Sequence, residues 1–482
     1  MTRPDVVVVG SGPNGLAAAV TLARAGLGVL VLEAEPTVGG GARTLDLGLA
    51  DGLVHDVCSA VHPLAWASPF FREFDLAARG VELLVPEVSY AQPLPGRRAG
   101  LAYRDLDRTV AGLGVDGSAW RSLVGGRPGP AVRVALGDKR SVPAVDPRAA
   151  VRFGLGVLEQ GTRAWDRRFV DDVAPALLTG VAAHAITPLP SLAAAGTALL
   201  LATLAHADGG WPIPRGGSGA ITAALRQDLE AHGGTVRTDH RVRRFADLPP
   251  AHCYVFDTTP RTLLRVLGDR LPPRTRSALE RFRYGDAAAK VDFVLDGPVP
   301  WAVPEVGLAG TVHVGGTRAQ MAAAENAVAR GGHAELPMTL VSDPAVVDPS
   351  REVHGHRPLW TYAHVPAGSD VDVTEAVTRH IERYAPGFRD VVVTSRCTPA
   401  AHLSDHNENY VGGDISAGAA TIRQLVARPT PRFDPYFTGR DGVYLCSAST
   451  PPGPGVHGLS GWFAARRALR EFGITRMPSL AP

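Results

Sequence analysis

The six residues Gly10-Ser11-Gly12-Pro13-Asn14-Gly15, with Glu33 placed 18 positions after Gly15, have the types and spacing that hold a dinucleotide. Gly10 makes a tight turn, Gly12 lets the backbone approach a pyrophosphate, and Gly15 lets a helix pack closely on a strand. The pyrophosphate would rest on the amino end of that helix, where backbone N–H groups point outward. Glu33 supplies a carboxylate that accepts hydrogen bonds from ribose hydroxyls. Proton chemistry has three candidates, His62, His406 and His457, because imidazole exchanges protons near neutral pH. Each of these histidines serves equally well as a tie within a loop, and no catalytic base is assigned among them.

The elements that must position these groups are readable around them. Val6 to Val9 is a continuous β-branched run, as the buried centre of a parallel sheet requires. Small and apolar residues at helical spacing follow to Gly26, and a second apolar run, Val29 to Leu32, ends at Glu33. Gly39-Gly40-Gly41-Ala42-Arg43-Thr44 then allows a close backbone turn beside a phosphate or sugar. Far downstream, Gly442 to Thr450 reads as a strand, followed by an irregular glycine loop from Pro451 and a helix from Gly458 to about Arg470. That arrangement aims a second set of backbone N–H groups at an anion. Cys446 inside this strand reads as an inert buried thiol.

Between these ends the pattern changes. Leu106 to about Ala207 is dominated by helices broken by glycine and proline, after a hairpin at Ser89 to Leu101. Strands are expected at Thr235 to Arg237, Val242 to Phe245 and His252 to Phe256. Asp257-Thr258-Thr259-Pro260 then opens a helix at the polar strand end, where an open α/β sheet places its ligand loops. Further strands are expected near Ala288 to Leu295, His313, Met338 to Val341 and Trp360 to Val365. The fold class is therefore α/β: a Rossmann-like dinucleotide-binding domain with an inserted α+β substrate domain. Residues 1–65, 212–286 and 430–482 form the first, and 66–211 and 287–429 the second.

Bulk properties narrow the function. The 49 basic and 47 acidic residues nearly balance, which argues against a nucleic-acid partner. Arg241, Arg243 and Arg244 read as a solvated strand edge. The four cysteines are widely spaced, and the first strand begins within a few residues of the amino terminus, so a cytoplasmic location without a signal peptide is expected. Leu192 to Ala205 is shorter than the roughly 20 residues that span a bilayer. It reads as a core or pocket-wall helix, with shallow, peripheral membrane contact as the alternative. His402 and His406 lack the H-E-x-x-H order of a zinc helix, so no metal site is expected.

Taken together, Val9 to Leu16, Gly39 to Thr44, Pro214-Arg215-Gly216-Gly217-Ser218-Gly219-Ala220, Gly412-Gly413-Asp414-Ile415 and Tyr444 to Gly461 resemble the phytoene-desaturase-like branch of the flavin amine oxidase superfamily. The resemblance is strongest to the group of pyridine nucleotide-disulphide oxidoreductase domain containing protein 2. It implies FAD as cofactor, with Gly10, Gly12, Gly15 and Glu33 at the adenosine and pyrophosphate. It places Arg43 and Thr44 on the cofactor side, Val242 near adenine, and Gly455, Val456 and Gly458 near the diphosphate or isoalloxazine. The expected activity is dehydrogenation of a largely apolar small molecule by hydride transfer to flavin N5, with oxygen, a quinone or another carrier accepting the electrons. Pro451 to His457 departs from the glycine-rich run usual in carotenoid desaturases, which argues against carotenoid chemistry. A redox-neutral flavin-dependent isomerase and a non-catalytic, flavin-stabilised interaction protein are the alternatives. Oligomeric state is left open.

Overall fold

A computed structural model describes residues 3–138 and 146–482, so the stretch 139–145 of the expected helical region lies outside the described residues. The chain opens with β1 (Val6–Val9), α1 (Pro13–Arg24) and β2 (Val29–Leu32). It leaves to form the hairpin of β3 (Val88–Leu94) and β4 (Arg98–Tyr103), then a helical run ending in α2 (Leu192–Ala205). It returns through α3 (Gly219–Ala231), β5 (Thr235–Arg237) and β6 (Cys253–Phe256). A second excursion gives β7 (Ala287–Leu295), β8 (Val312–Val314), β9 (Thr339–Ser342), β10 (Arg357–Val365) and β11 (Val392–Thr398). The last return supplies β12 (Val443–Leu445) and α4 (Leu459–Glu471).

Two main sheets result. The first has the order β12-β6-β1-β2-β5 and is parallel throughout. All four valines of β1 are buried, because helices cover both sheet faces and leave no solvated side. Helix α1 packs between the sheet and α4 with so little room that a side chain at Gly461 would strike the Asn14 carbonyl oxygen. The second sheet has the order β11-β7-β10-β9-β8-β3-β4 and is antiparallel except where β8 meets β3.

Register in this second sheet determines what shares a face. His313 pairs with Leu340, Leu340 with Tyr362, and Tyr362 with Lys290. Directly opposed residues project to the same side, so these four form one row across the sheet. Asp292, Trp360 and Ser342 form the next row, and Ala288 and His364 the row on the other side.

Two expectations need correction. Val242 to Phe245 is not a strand: Arg241 ion-pairs with Glu35 and Glu408, while Asp247 accepts the backbone N–H groups of Arg243 and Arg244, and together these hold the segment off the sheet. The same pairs make Arg241 part of a half-buried network rather than a solvated strand edge. The apolar helix α2 is interior, with eleven of its residues buried, in keeping with a core or pocket-wall helix. Among the described residues no helix is long and apolar enough to cross a membrane.

Candidate active site

A cleft of about 1230 Å³, counting its open mouth, runs along the carboxyl ends of β1, β2 and β6. Its wall comes from distant parts of the chain: Gly10 to Asn14, Glu33 to Glu35, Gly40 to Arg43, Arg241 and Val242, Asp257, His406 to Tyr410, and Pro454 to Val456. Glu33 is buried, and its Oε2 accepts hydrogen bonds from Ser11 N–H (2.9 Å) and Ser11 Oγ (2.5 Å). Its Oε1 accepts from Glu35 N–H at 3.0 Å. A carboxylate has about four acceptor directions, so capacity remains for a hydroxyl from the cleft.

The glycine turns are held against each other. A Cβ at Gly40 would lie 3.0 Å from the Gly12 Cα, and one at Gly12 would lie 2.6 Å from Asp257 Oδ2. Arg43 is buried and braces this contact: its Nε donates to the Gly40 carbonyl at 2.9 Å and its guanidinium to the His406 carbonyl at 2.5 Å. Asn409 reads the turn after β6, accepting from Thr259 N–H at 2.8 Å and donating to the Asp257 carbonyl at 3.3 Å.

Gly10, Gly12, Glu33, Arg43, Val242, Gly455, Val456 and His406 all line this cleft. The remaining candidates lie elsewhere. Thr44 Oγ1 donates to Asp56 Oδ1 at 2.7 Å and accepts from Gly219 N–H at 2.9 Å, so it ties a two-stranded ribbon to α3 rather than facing a cofactor. Gly15 lies beneath the turn, where Gly10 and Asp257 leave no space for a side chain. Gly458 packs against Phe70 and Ala17.

Two of the three histidine candidates are buried and hydrogen-bonded to nearby protein groups. His457 is buried; its Nδ1 accepts Leu459 N–H at 3.0 Å and its Nε2 donates to the Gly453 carbonyl at 3.1 Å, so both ring nitrogens serve its own loop. His62 is buried against Ser218 Oγ at 2.7 Å, and Ser218 in turn donates to the Ser59 carbonyl. Burial pushes each imidazole down to about 4, so both are neutral at neutral pH. His406 is different. Its ring meets Tyr410 edge-on at 5.7 Å, and its Nε2 is buried with no protein partner. Burial first, then the charges of Arg43 and Lys290, push it down to about 4. His402 points away to a surface pair with Asp405, so the two histidines do not converge.

Two charged groups gain a role at the site only once the chain is folded. Lys290 on β7 is buried, pairs with Asp292 two residues on, and sits 5.8 Å from the centre of the Trp360 ring. Its charge acts on Cys58 and His406, both of which line the cleft. Charges at alternate positions of an otherwise apolar strand were the available signal, since such residues share a face. Asp257 is the other, discussed below.

The cleft fits FAD. Its glycine cradle admits a diphosphate where side chains would collide, Glu33 is placed for a ribose, and Asn14 Oδ1 and His406 Nε2 are buried in its wall without protein partners. A parallel nucleotide-binding sheet beside a large antiparallel sheet, with this cleft at the strand ends, defines an FAD-dependent oxidoreductase. The model of the flavin containing amine oxidoreductase family matches residues 14–271, and the chain belongs to that family. It is 22% identical over 559 residues to pyridine nucleotide-disulfide oxidoreductase domain-containing protein 2 of Rattus norvegicus, covering 97% of this chain and 93% of that one. Its fold is similar to an oxidoreductase from Methanosarcina mazei (TM-score 0.59, 15% identity, 96% of this chain and 99% of that one). It is also similar to putrescine oxidase bound to putrescine (TM-score 0.57, 17% identity, 98% and 100%).

Proposed function

We propose that the chain dehydrogenates a largely apolar, uncharged small molecule lying on the face of the antiparallel sheet that carries Lys290, Trp360 and Tyr362. The observation that carries this reading is the strand register, which places a buried cation acting on the cleft and an aromatic platform on one face. Trp360 and Tyr362 meet edge-on at 5.0 Å, and Leu340, Met338 and Met321 cluster with them. Such a surface would exclude water and orient an apolar body. Buried Trp360 Nε1 and His364 Nε2 lack protein partners and suit a polar group on the same molecule. Two carboxylates of this face are paired, Asp292 with Lys290 and Glu325 with His364 at 2.6 Å, which leaves neither of them free for an ammonium substrate.

When bound, FAD would supply a two-electron acceptor for hydride leaving a substrate C–H bond, while a proton leaves the adjacent carbon or heteroatom to solvent. The α1 amino terminus and Glu33 would hold its diphosphate and ribose, Val242 would lie near the adenine, and Gly455 and Val456 would border the rest. The substrate domain of residues 66–211 and 287–429 would present the sheet face. Lys290 places its side-chain amine on that face, and neutral His406 offers a hydrogen-bonding nitrogen. Oxygen, a quinone or another carrier would take the electrons onward.

The test is anaerobic mixing of flavin-loaded protein with separate pools of neutral apolar compounds and of amines. Loss of oxidised-flavin absorbance with a neutral compound, and a product two hydrogens lighter, is the expected result. Reduction by amines alone overturns the substrate class. Rearrangement with catalytic reductant and no net oxidation would instead establish isomerase chemistry, and flavin that stays oxidised across both pools would favour a non-catalytic role.

His406→Gln is expected to leave the pH profile of turnover between about pH 5 and 9 unchanged and to slow turnover by no more than about tenfold, because an imidazole already neutral in this range does not change its charge. Disappearance of an ionisation near pH 6–7 in the variant would contradict that role.

A further inference from the structure

Asp257 stands at the centre of the glycine cradle. It continues β6 past Phe256, with its N–H donating to the Val9 carbonyl at 2.8 Å, and this fixes where its side chain goes. Oδ2 accepts Gly15 N–H at 2.8 Å and occupies the space a Gly12 side chain would need. The residue is buried and lines the cleft.

The charges around it are unfavourable to an anion. The first residues of α1, Pro13 and Asn14, carry none. From the end of β2, Glu33 faces it with a second carboxylate; from the end of β12, Cys446 presents a thiol that burial and Asp257 keep protonated. Among the described residues no basic side chain pairs with Asp257. Arg43 is committed to two carbonyls and Arg241 to Glu35 and Glu408. His240 bonds the Asp247 carbonyl, and His406 does not reach Asp257 by a hydrogen bond. Burial, with Glu33 adding to it, pushes the Asp257 carboxyl up to about 7, while Gly15 and Gly12 N–H groups oppose the rise. A diphosphate brings two more negative charges to the same turn, where nearby charges of one sign disfavour ionisation further.

We propose that Asp257 is a cofactor-binding residue that is protonated when FAD is bound, so that loading FAD takes up one proton from water. The proposal rests on FAD occupying this cleft. As a neutral acid, Asp257 keeps its acceptor bond from Gly15 N–H and gains an O–H able to donate to a phosphate oxygen. As a carboxylate it opposes the diphosphate.

The experiment is calorimetric titration of the deflavinated full-length chain with FAD at pH 8, in buffers of different ionisation enthalpy. Uptake approaching one proton per FAD is expected, with Kd rising toward about tenfold per pH unit above pH 8. Asp257→Asn should show no uptake and a Kd independent of pH. ADP should reproduce the proton uptake and riboflavin should not, since only ADP carries the diphosphate. Absence of uptake in the wild-type chain, or equal uptake in Asp257→Asn, overturns the proposal. Failure of FAD to bind at all would instead count against the cleft assignment. If Asp257→Asn does not fold, infrared spectra of the wild-type holoprotein decide: a buried carboxylic acid band that appears on loading supports the proposal, and its absence overturns it.

Discussion

Alanine at position 15 is expected to give a chain that has lost most of its affinity for flavin. A Cβ there would fall inside contact distance of the Gly10 carbonyl oxygen and 2.9 Å from both Cβ and Oδ2 of Asp257. Gly10 and Asp257 continue β1 and β6, which are locked together by a four-residue parallel ladder, so neither backbone can retreat. Helix α1 must tilt instead, and its other side is closed by α4 at Gly461. Overpacking of this kind costs about 1–3 kcal/mol. Where the strain falls on the diphosphate turn, it lowers affinity by about ten- to a hundredfold. Flavin content of the purified variant, and the Kd of its deflavinated form, measure the effect. Stoichiometric FAD at wild-type affinity would show that Gly15 does not set the geometry of the turn.

Lys290→Met is expected to act on stability and turnover together. Although burial pushes the Asp292 carboxyl up, Lys290 and His55 hold it below the usual carboxylate range. Removing Lys290 leaves a buried carboxylate short of its main partner, a loss of about 3–5 kcal/mol for such broken pairs. Replacing both partners, as in Lys290→Met with Asp292→Leu, removes the orphaned charge and is expected to recover most of the stability, because apolar replacements of a buried pair are often neutral. Flavin reduction should remain impaired in the double variant, since the cation beside the sheet face is still missing. Thermal unfolding and the anaerobic reduction rate separate the two effects. A stable double variant reduced at the wild-type rate would confine Lys290 to a structural role.

Sequence carried the nucleotide-binding half well because its signals are local. Four valines, three spaced glycines and a terminal glutamate each state their own role, and β1, α1 and β2 follow from them. The antiparallel sheet was legible as strands, yet its register was not, since the row from His313 to Lys290 is assembled by pairings between residues tens of positions apart. The same limit hid Lys290 and the acid chemistry of Asp257, although the turn that Asp257 opens was already placed at the ligand-side strand end. Val242 misled because strand propensity was overridden by the ion pairs of Arg241 with Glu35 and Glu408. Histidines were the least legible residues: identical imidazoles at 62, 406 and 457 differ in which ring nitrogens the folded chain occupies, and composition says nothing of that.

The most direct measurement is a crystal structure of the FAD-loaded chain. The expected result is a ribose on Glu33, the diphosphate across Gly12 at the amino end of α1, and the isoalloxazine directed toward the sheet face that carries Lys290 and Tyr362. Flavin bound elsewhere, or an isoalloxazine turned away from that face, would contradict the assignment of cleft and substrate surface.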